Sequence, residues 1–156
     1  MKIEFTKYQG TGNDFIMVDN LDGAYNQITI RQIADLCDRK TGIGADGFIK
    51  ISKHSQLDFE VEYFNADGSQ SFCGNGARCS VAFAKELGLI EDETVFMAID
   101  GSHKASIVNG IVTLEMLPVK EIFNAGDQDY FVDTGSPHYI RNVTIEDKPD
   151  IVEFGK

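Results

Sequence analysis

Three observations predict an α+β chain in which sheet encloses a helix. Leu57, Phe59, Val61 and Tyr63 alternate strictly with Asp58, Glu60 and Glu62, the signature of a half-buried strand. Asn109-Gly110 between two apolar runs is a strong hairpin turn. The segment bearing Ala77, Val81, Ala82, Phe83 and Ala84 is small and apolar around most of a helix's girth, so that helix is buried.

The elements follow in order. Ile3, Phe5 and Lys7 alternate with polar neighbours and suggest a first strand; Phe15 to Val18 suits a second. Between them Gln9 to Asp14 is a turn whose two glycines permit positive φ. Thr29 can cap a helix running to about Lys40, with Ile30, Ile33, Ala34 and Cys37 on one face and Gly42 as its stop. A loop with three glycines, Gly42 to Gly47, leads into a strand near Phe48 to Ser52. Asn65-Ala66-Asp67-Gly68 is a turn, and the helix after Cys73 runs to Glu86 or Leu87 before Gly88. Strands are expected at Thr94–Ile99, Ala105–Val108 and Ile111–Leu117, with a further one starting at Tyr130–Val132. Thr134 to His138 reads as a turn. Pro118 marks a boundary between a first domain, 1–117, and the opening of a second, 118–156; Ile151 to Lys156 carry no helix stop.

The chain has 156 residues, 42% of them hydrophobic and 25% charged, which is ordinary for a soluble globular protein. No apolar run approaches the roughly 20 residues of a membrane helix. The net charge of −11 disfavours nucleic acid and anionic membrane as partners. Three cysteines form no even framework, and the N-terminus lacks the regions of a signal peptide, so a cytoplasmic chain with reduced thiols is expected.

Cys73 precedes two glycines and stands where a helix begins. The first amides of a helix lack internal partners and carry about half a positive charge, which favours a thiolate there. The amides of Gly74, Asn75 and Gly76 could also grip a carboxylate or phosphate. Taken alone, Cys73 reads as a packing residue beside a glycine turn; Cys73 to Cys79, preceded by Phe64 to Gly68, tips the balance toward chemistry. Cys79, deep in an apolar helix, reads as core. The Cys73–Cys79 spacing matches no common zinc pattern, and no Cys-x-x-Cys motif supports a thiol redox protein.

Five motifs in order carry a resemblance: Gly12-Asn13-Asp14-Phe15, Gly42 to Gly47, Phe64 to Gly68, Cys73 to Cys79, and Thr134 to His138. The chain resembles the diaminopimelate epimerases, which interconvert LL- and meso-diaminopimelate without pyridoxal phosphate or other cofactor or metal. The resemblance implies a curved, mostly antiparallel sheet wrapped around the helix after Cys73, the first of two similar domains, with the active site in the cleft between them. Two cysteines flank the reacting carbon in that family, one as base and one as acid; Cys73 matches the first. The amides of Gly74 and Asn75 are implied to hold the α-carboxylate, and Asn13 and Asn65 to contact substrate. As isolated residues both asparagines read as turn formers. His138 matches a histidine thought to tune the cysteine, and equally suits a turn beside Pro137.

Two positions depart from the pattern. Ser136 stands where many members have a substrate-touching asparagine, and Gly47 replaces a glutamine found in some. The family's second half, with the partner cysteine and a closing strand for the first domain, is not among these residues, so the 156 residues alone are expected to lack activity. An open sheet edge is compatible with a homodimer. The competing readings are a non-catalytic anion- or amino-acid-binding module, and another racemase or isomerase of the same fold.

Overall fold

Alternation decides which way each strand faces, and two neighbouring strands bury both faces. In the computed structural model, which describes residues 2–126, 128–144 and 150–154, the chain divides into two compact units, Met1–Leu117 and Pro118–Lys156. The first unit holds strands β1 (Thr6–Gly10), β2 (Asn13–Asp19), β3 (Gly47–Ser52), β4 (Phe59–Asn65), β5 (Glu93–Ala98), β6 (Gly101–Val108) and β7 (Ile111–Leu114), with helices α1 (Ile30–Cys37) and α2 (Gly74–Glu86). The strands form one sheet in chain order, β1 through β7. Pairing is antiparallel except at β2–β3 and β4–β5, which are parallel.

The sheet curls around α2, which touches strands from β1 at one edge to β7 at the other. Phe15, Met17, Ile49, Ile51, Phe59 and Val61 pack with Ala77, Val81 and Ala84 of α2 inside the curl. The opposite faces of β2 and β3 present Ile16, Val18 and Phe48 to Ile33 and Cys37 of α1. The long apolar run of β2 thus serves two layers. α1 begins in a capping box, Thr29 accepting from the Gln32 amide while the Gln32 side chain accepts from the Thr29 amide.

The first hairpin differs from the alternation at Ile3–Lys7. The strand runs only from Thr6, paired with Met17, to Gly10, paired with Asn13, and Thr11-Gly12 form a two-residue turn. Both turn residues have positive φ, 53° and 92°, the combination that matches strand twist. α1 ends at Cys37 rather than near Lys40, because the Asp38 carboxylate accepts from the Lys40 and Thr41 amides and turns the chain early. β6 begins at Gly101, four residues before the expected start, in register with β5.

The second unit is a three-stranded antiparallel sheet of β8 (Ile122–Gly126), β9 (Asp129–Asp133) and β10 (Pro137–Arg141), ordered β10-β9-β8, and a short helix α3 (Ile151–Phe154). β8, β10 and α3 were not expected. Pro137 and His138 stand in a strand rather than in the expected turn, because Thr134 to Ser136 already complete the reversal and Pro137 pairs with Asp133. Gly155 and Lys156, part of the closing stretch read for a helix stop, lie outside the described residues.

Gly47 shows how tightly the inner face is packed. A Cβ there would stand 2.5 Å from Tyr63 Cε2 and 2.8 Å from the Phe64 carbonyl oxygen. Gly47→Ala is expected to cost about 1–3 kcal/mol through overpacking, read as a lower urea midpoint. Adding Tyr63→Leu should restore part of it, since one of the two clashes is removed.

Candidate active site

Strand direction gathers the site. β2 and β3 run parallel and β4 runs against them, so the start of β2, the start of β3 and the end of β4 share one end of the sheet. Asn13, Gly47 and Asn65 occupy these positions with the parity of the inner-facing Phe15, Ile49 and Val61. The N-terminus of α2 arrives at the same end, bringing Cys73, Gly74 and Asn75.

Cys73 is the N-cap of α2, with extended backbone (φ −127°, ψ 108°), and its sulfur accepts from the Gly76 amide at 3.3 Å. The sulfur therefore occupies the place a serine or aspartate oxygen takes in an ordinary cap. Gly76 packs closely: a Cβ there would lie 3.2 Å from Ile49 Cδ1 and 3.4 Å from Cys73 Cβ, so these neighbours would have to give. Gly74 is half-buried, and a Cβ there would meet nothing nearer than 3.7 Å. Cys73 lines a small recess with Val61, Tyr63, Ser71, Phe72, Ala77, Ala98 and Ile99. Its volume of about 10 Å³ is room for at most one water. Cys73 is half-buried, whereas Cys37 and Cys79 are 2% and 5% exposed. Burial pushes both of those thiols up to about 11.

Asn13 and Asn75 are joined directly, Asn75 Nδ2 donating to Asn13 Oδ1 at 2.7 Å. Asn13 Nδ2 donates in turn to Asp46 Oδ2 at 3.2 Å, and Arg78 donates to Asn75 Oδ1. A guanidinium at one end and a carboxylate at the other thus fix which way each carboxamide faces. Asp46 and Asp14 share Arg39, at 2.8 and 2.6 Å, and Lys7 pairs with Asp14 at 2.6 Å. The hydrogen bond from Asn13, with Arg39 and the Asp14 amide, holds the Asp46 carboxyl below the usual carboxylate range; Arg39 and then Lys7 do the same for Asp14.

Asn65 is engaged within its own turn. It accepts from the Tyr63 hydroxyl at 3.0 Å, and its Nδ2 faces Ser69 Oγ at 3.0 Å and Ser71 Oγ at 3.3 Å. Tyr63 is a residue the sequence reading missed. Burial raises its phenol well above the ordinary tyrosine range, and the neighbouring Cys73 adds to this through charge and a hydrogen bond. The signal for it was present, since Tyr63 continues the inward parity of Phe59 and Val61 toward Asn65. His138 belongs to the second unit, exposed on β10, with Nε2 at 3.0 Å from Thr134 Oγ1. Among the described residues no group of three or more His, Cys, Asp or Glu side chains could hold a metal ion, and no helix is long and apolar enough to cross a membrane.

Residues 5–128 match the sequence family described as diaminopimelate epimerase. The chain belongs to this family. It is 50% identical over 137 residues to a diaminopimelate epimerase of Flavobacterium psychrophilum, covering 86% of this chain and 53% of that protein. It is 40% identical over 154 residues to that of Chlorobaculum tepidum, covering 94% and 60%. The chain thus spans little more than half the length of these curated relatives. In fold it is similar to a phenazine biosynthesis protein of the PhzF family from Bacillus anthracis (TM-score 0.61, 16% identity, 88% of this chain and 52% of that one). A hydroxyproline epimerase from Agrobacterium vitis is alike to the same degree (TM-score 0.60, 17% identity, 88% and 50%). At that identity the likeness concerns the fold alone, and it agrees with a curved sheet around a helix.

Within this diaminopimelate epimerase family chain, two outcomes follow from the site. Under native conditions near pH 8, iodoacetamide should modify Cys73 well before Cys37 and Cys79, by peptide mass mapping; equal labelling of all three would contradict the geometry. Because Asp14 and Asp46 are held low, their pairing with Arg39 stabilises the fold above the ordinary aspartate range of about 4 and is lost as pH falls through the depressed values. Arg39 is exposed and its pairs are screened by solvent, so Arg39→Ala should lower the urea midpoint only slightly at neutral pH, and its difference from the parent should narrow in acid.

Proposed function

We propose that this chain carries the first acid/base cysteine of a cofactor-independent epimerase acting on diaminopimelate. Cys73, as thiolate, takes the proton from the α-carbon and becomes a thiol. A second cysteine gives a proton to the opposite face and becomes the thiolate. The roles exchange for the reverse direction, so no net proton is consumed. The carrying observation is the Cys73 sulfur at the head of α2, half-buried and accepting from the Gly76 amide.

Removing an α-proton builds negative charge on the adjoining carboxylate. Donors aimed at that charge before the reaction begins lower the barrier without reorganisation. The amides of Gly74 and Asn75 take this role, in a chain whose net charge of −11 would otherwise oppose an anion. Asn13, its carboxamide oriented by Asn75 and Asp46, reads the ammonium and carboxylate of the substrate. Asn65 joins it by exchanging a serine contact for substrate. For His138 the reading rests on the family resemblance of Thr134 to His138 alone.

The second cysteine is neither Cys37 nor Cys79. Each is sealed in a core cluster and held protonated by burial. The reading therefore requires a cysteine from outside these 156 residues, consistent with relatives nearly twice as long. The three free cysteines support a cytoplasmic location.

The test is incorporation of deuterium at the α-carbon of diaminopimelate in deuterated water. The 156-residue chain alone should give none. Supplied with a C-terminal half bearing the second cysteine, it should exchange and invert the centre, and Cys73→Ala should abolish both. Inversion persisting in Cys73→Ala would overturn the assignment, and binding without any deuterium uptake would favour a binding module.

A further inference from the structure

His103, on β6, is a buried ionisable side chain that the reaction does not use. It is 1% exposed and stands directly across the sheet from Phe96. Its ring lies between two aromatic faces, 4.4 Å from Phe72 at 9° and 5.6 Å from Phe96 at 22°. Nε2 is 3.0 Å from Asp100 Oδ1, and Nδ1 is 3.2 Å from the Glu115 carbonyl oxygen. Each ring nitrogen thus faces a polar partner, and the two contacts tether the ring at both nitrogens. An imidazole tied at both nitrogens cannot turn about its Cβ–Cγ bond, and its plane sets the plane of Phe72 stacked upon it.

Phe72 immediately precedes Cys73. Asp100 immediately follows Ile99, and Phe72, Ala98 and Ile99 are walls of the recess that Cys73 lines. We propose that His103 is a positioning residue for Cys73: through the Phe72 stack and the Asp100 and Glu115 hydrogen bonds it fixes the walls that hold the sulfur at the head of α2. This rests on the reading of Cys73 as the acid/base. A phenylalanine at 103 could stack as well, but nothing would pin its plane, and the Asp100 carboxylate would lose its ring partner.

Two amides report where Cys73 is held. The Gly76 N–H donates to its sulfur at 3.3 Å and the Ala77 N–H to its carbonyl at 2.7 Å. Amide hydrogen exchange would be measured on the 156-residue chain and on His103→Phe, which keeps a stacking ring, with urea unfolding alongside. The Gly76 and Ala77 amides should exchange about tenfold faster in the variant, while amides in the middle of α2 and the urea midpoint stay at parent values. Asp100→Asn, which keeps an acceptor oxygen for Nε2, should leave both amides near the parent rate. Phe72→Leu removes the stack from the other side and should reproduce the acceleration.

Unchanged exchange at Gly76 and Ala77 in His103→Phe would overturn the proposal. So would acceleration of all α2 amides together with a fallen midpoint, or failure of both ring variants to fold, since either marks the stack as core packing only. The exchange rates report where Cys73 sits and the isotope experiment reports what it does, so each reading can fail without the other.

Discussion

The structure turns on a helix end enclosed by sheet. The first amides of any helix have no partners within it, and burying them uncompensated is costly. Here α2 starts inside the curl of β1–β7, and its cap is a cysteine sulfur rather than an oxygen. The sulfur accepts from the Gly76 amide, one of several first-turn donors, so the cap does not exhaust the terminus. Gly76 also lets the helix lie close against Ile49.

Around that terminus the strands act as rulers. Parallel β2 and β3 and antiparallel β4 bring Asn13, Gly47 and Asn65 to one end of one face, although 52 positions separate the first from the last (65 − 13). Gly47 illustrates the economy of the face. A Cβ at 47 would stand 2.5 Å from Tyr63 Cε2 and 2.8 Å from the Phe64 carbonyl oxygen, so any side chain there must move the tyrosine and the backbone. The same tyrosine donates to Asn65 and borders the Cys73 recess, so the absence of a side chain at 47 leaves room for a ring that serves both.

Charge is handled locally. Within a chain carrying −11, Lys7 and Arg39 neutralise Asp14 and Asp46, and Arg78 ends the relay that runs through Asn75 and Asn13. Such pairs contribute little to stability when exposed. Their consequence at this place is orientation, because a carboxamide between a guanidinium and a carboxylate has one favourable direction. Lys50, 6% exposed, follows the same logic on the other face, paired with Glu62 at 2.9 Å beneath the Phe64 ring.

By itself the sequence determined the sheet-around-helix class, the span of α2, the Asn109-Gly110 hairpin and the motifs that place the chain in its family. These are written in local periodicity, turn chemistry and residue order. It was silent on β8 and read the first two residues of β10 as turn, because these short runs acquire strand geometry only by pairing with β9. It misjudged the start of β1 and the end of α1, because Ile3 and Phe5 alternate without pairing to β2 and a carboxylate at 38 ends the helix early. Tertiary structure alone decided that Tyr63, Asp46, Arg39, Arg78 and His103 surround or brace the candidate residues. Their roles depend on contacts between positions tens of residues apart, such as Phe72 with His103 and Asn75 with Asn13, and no spacing along the chain encodes such a contact.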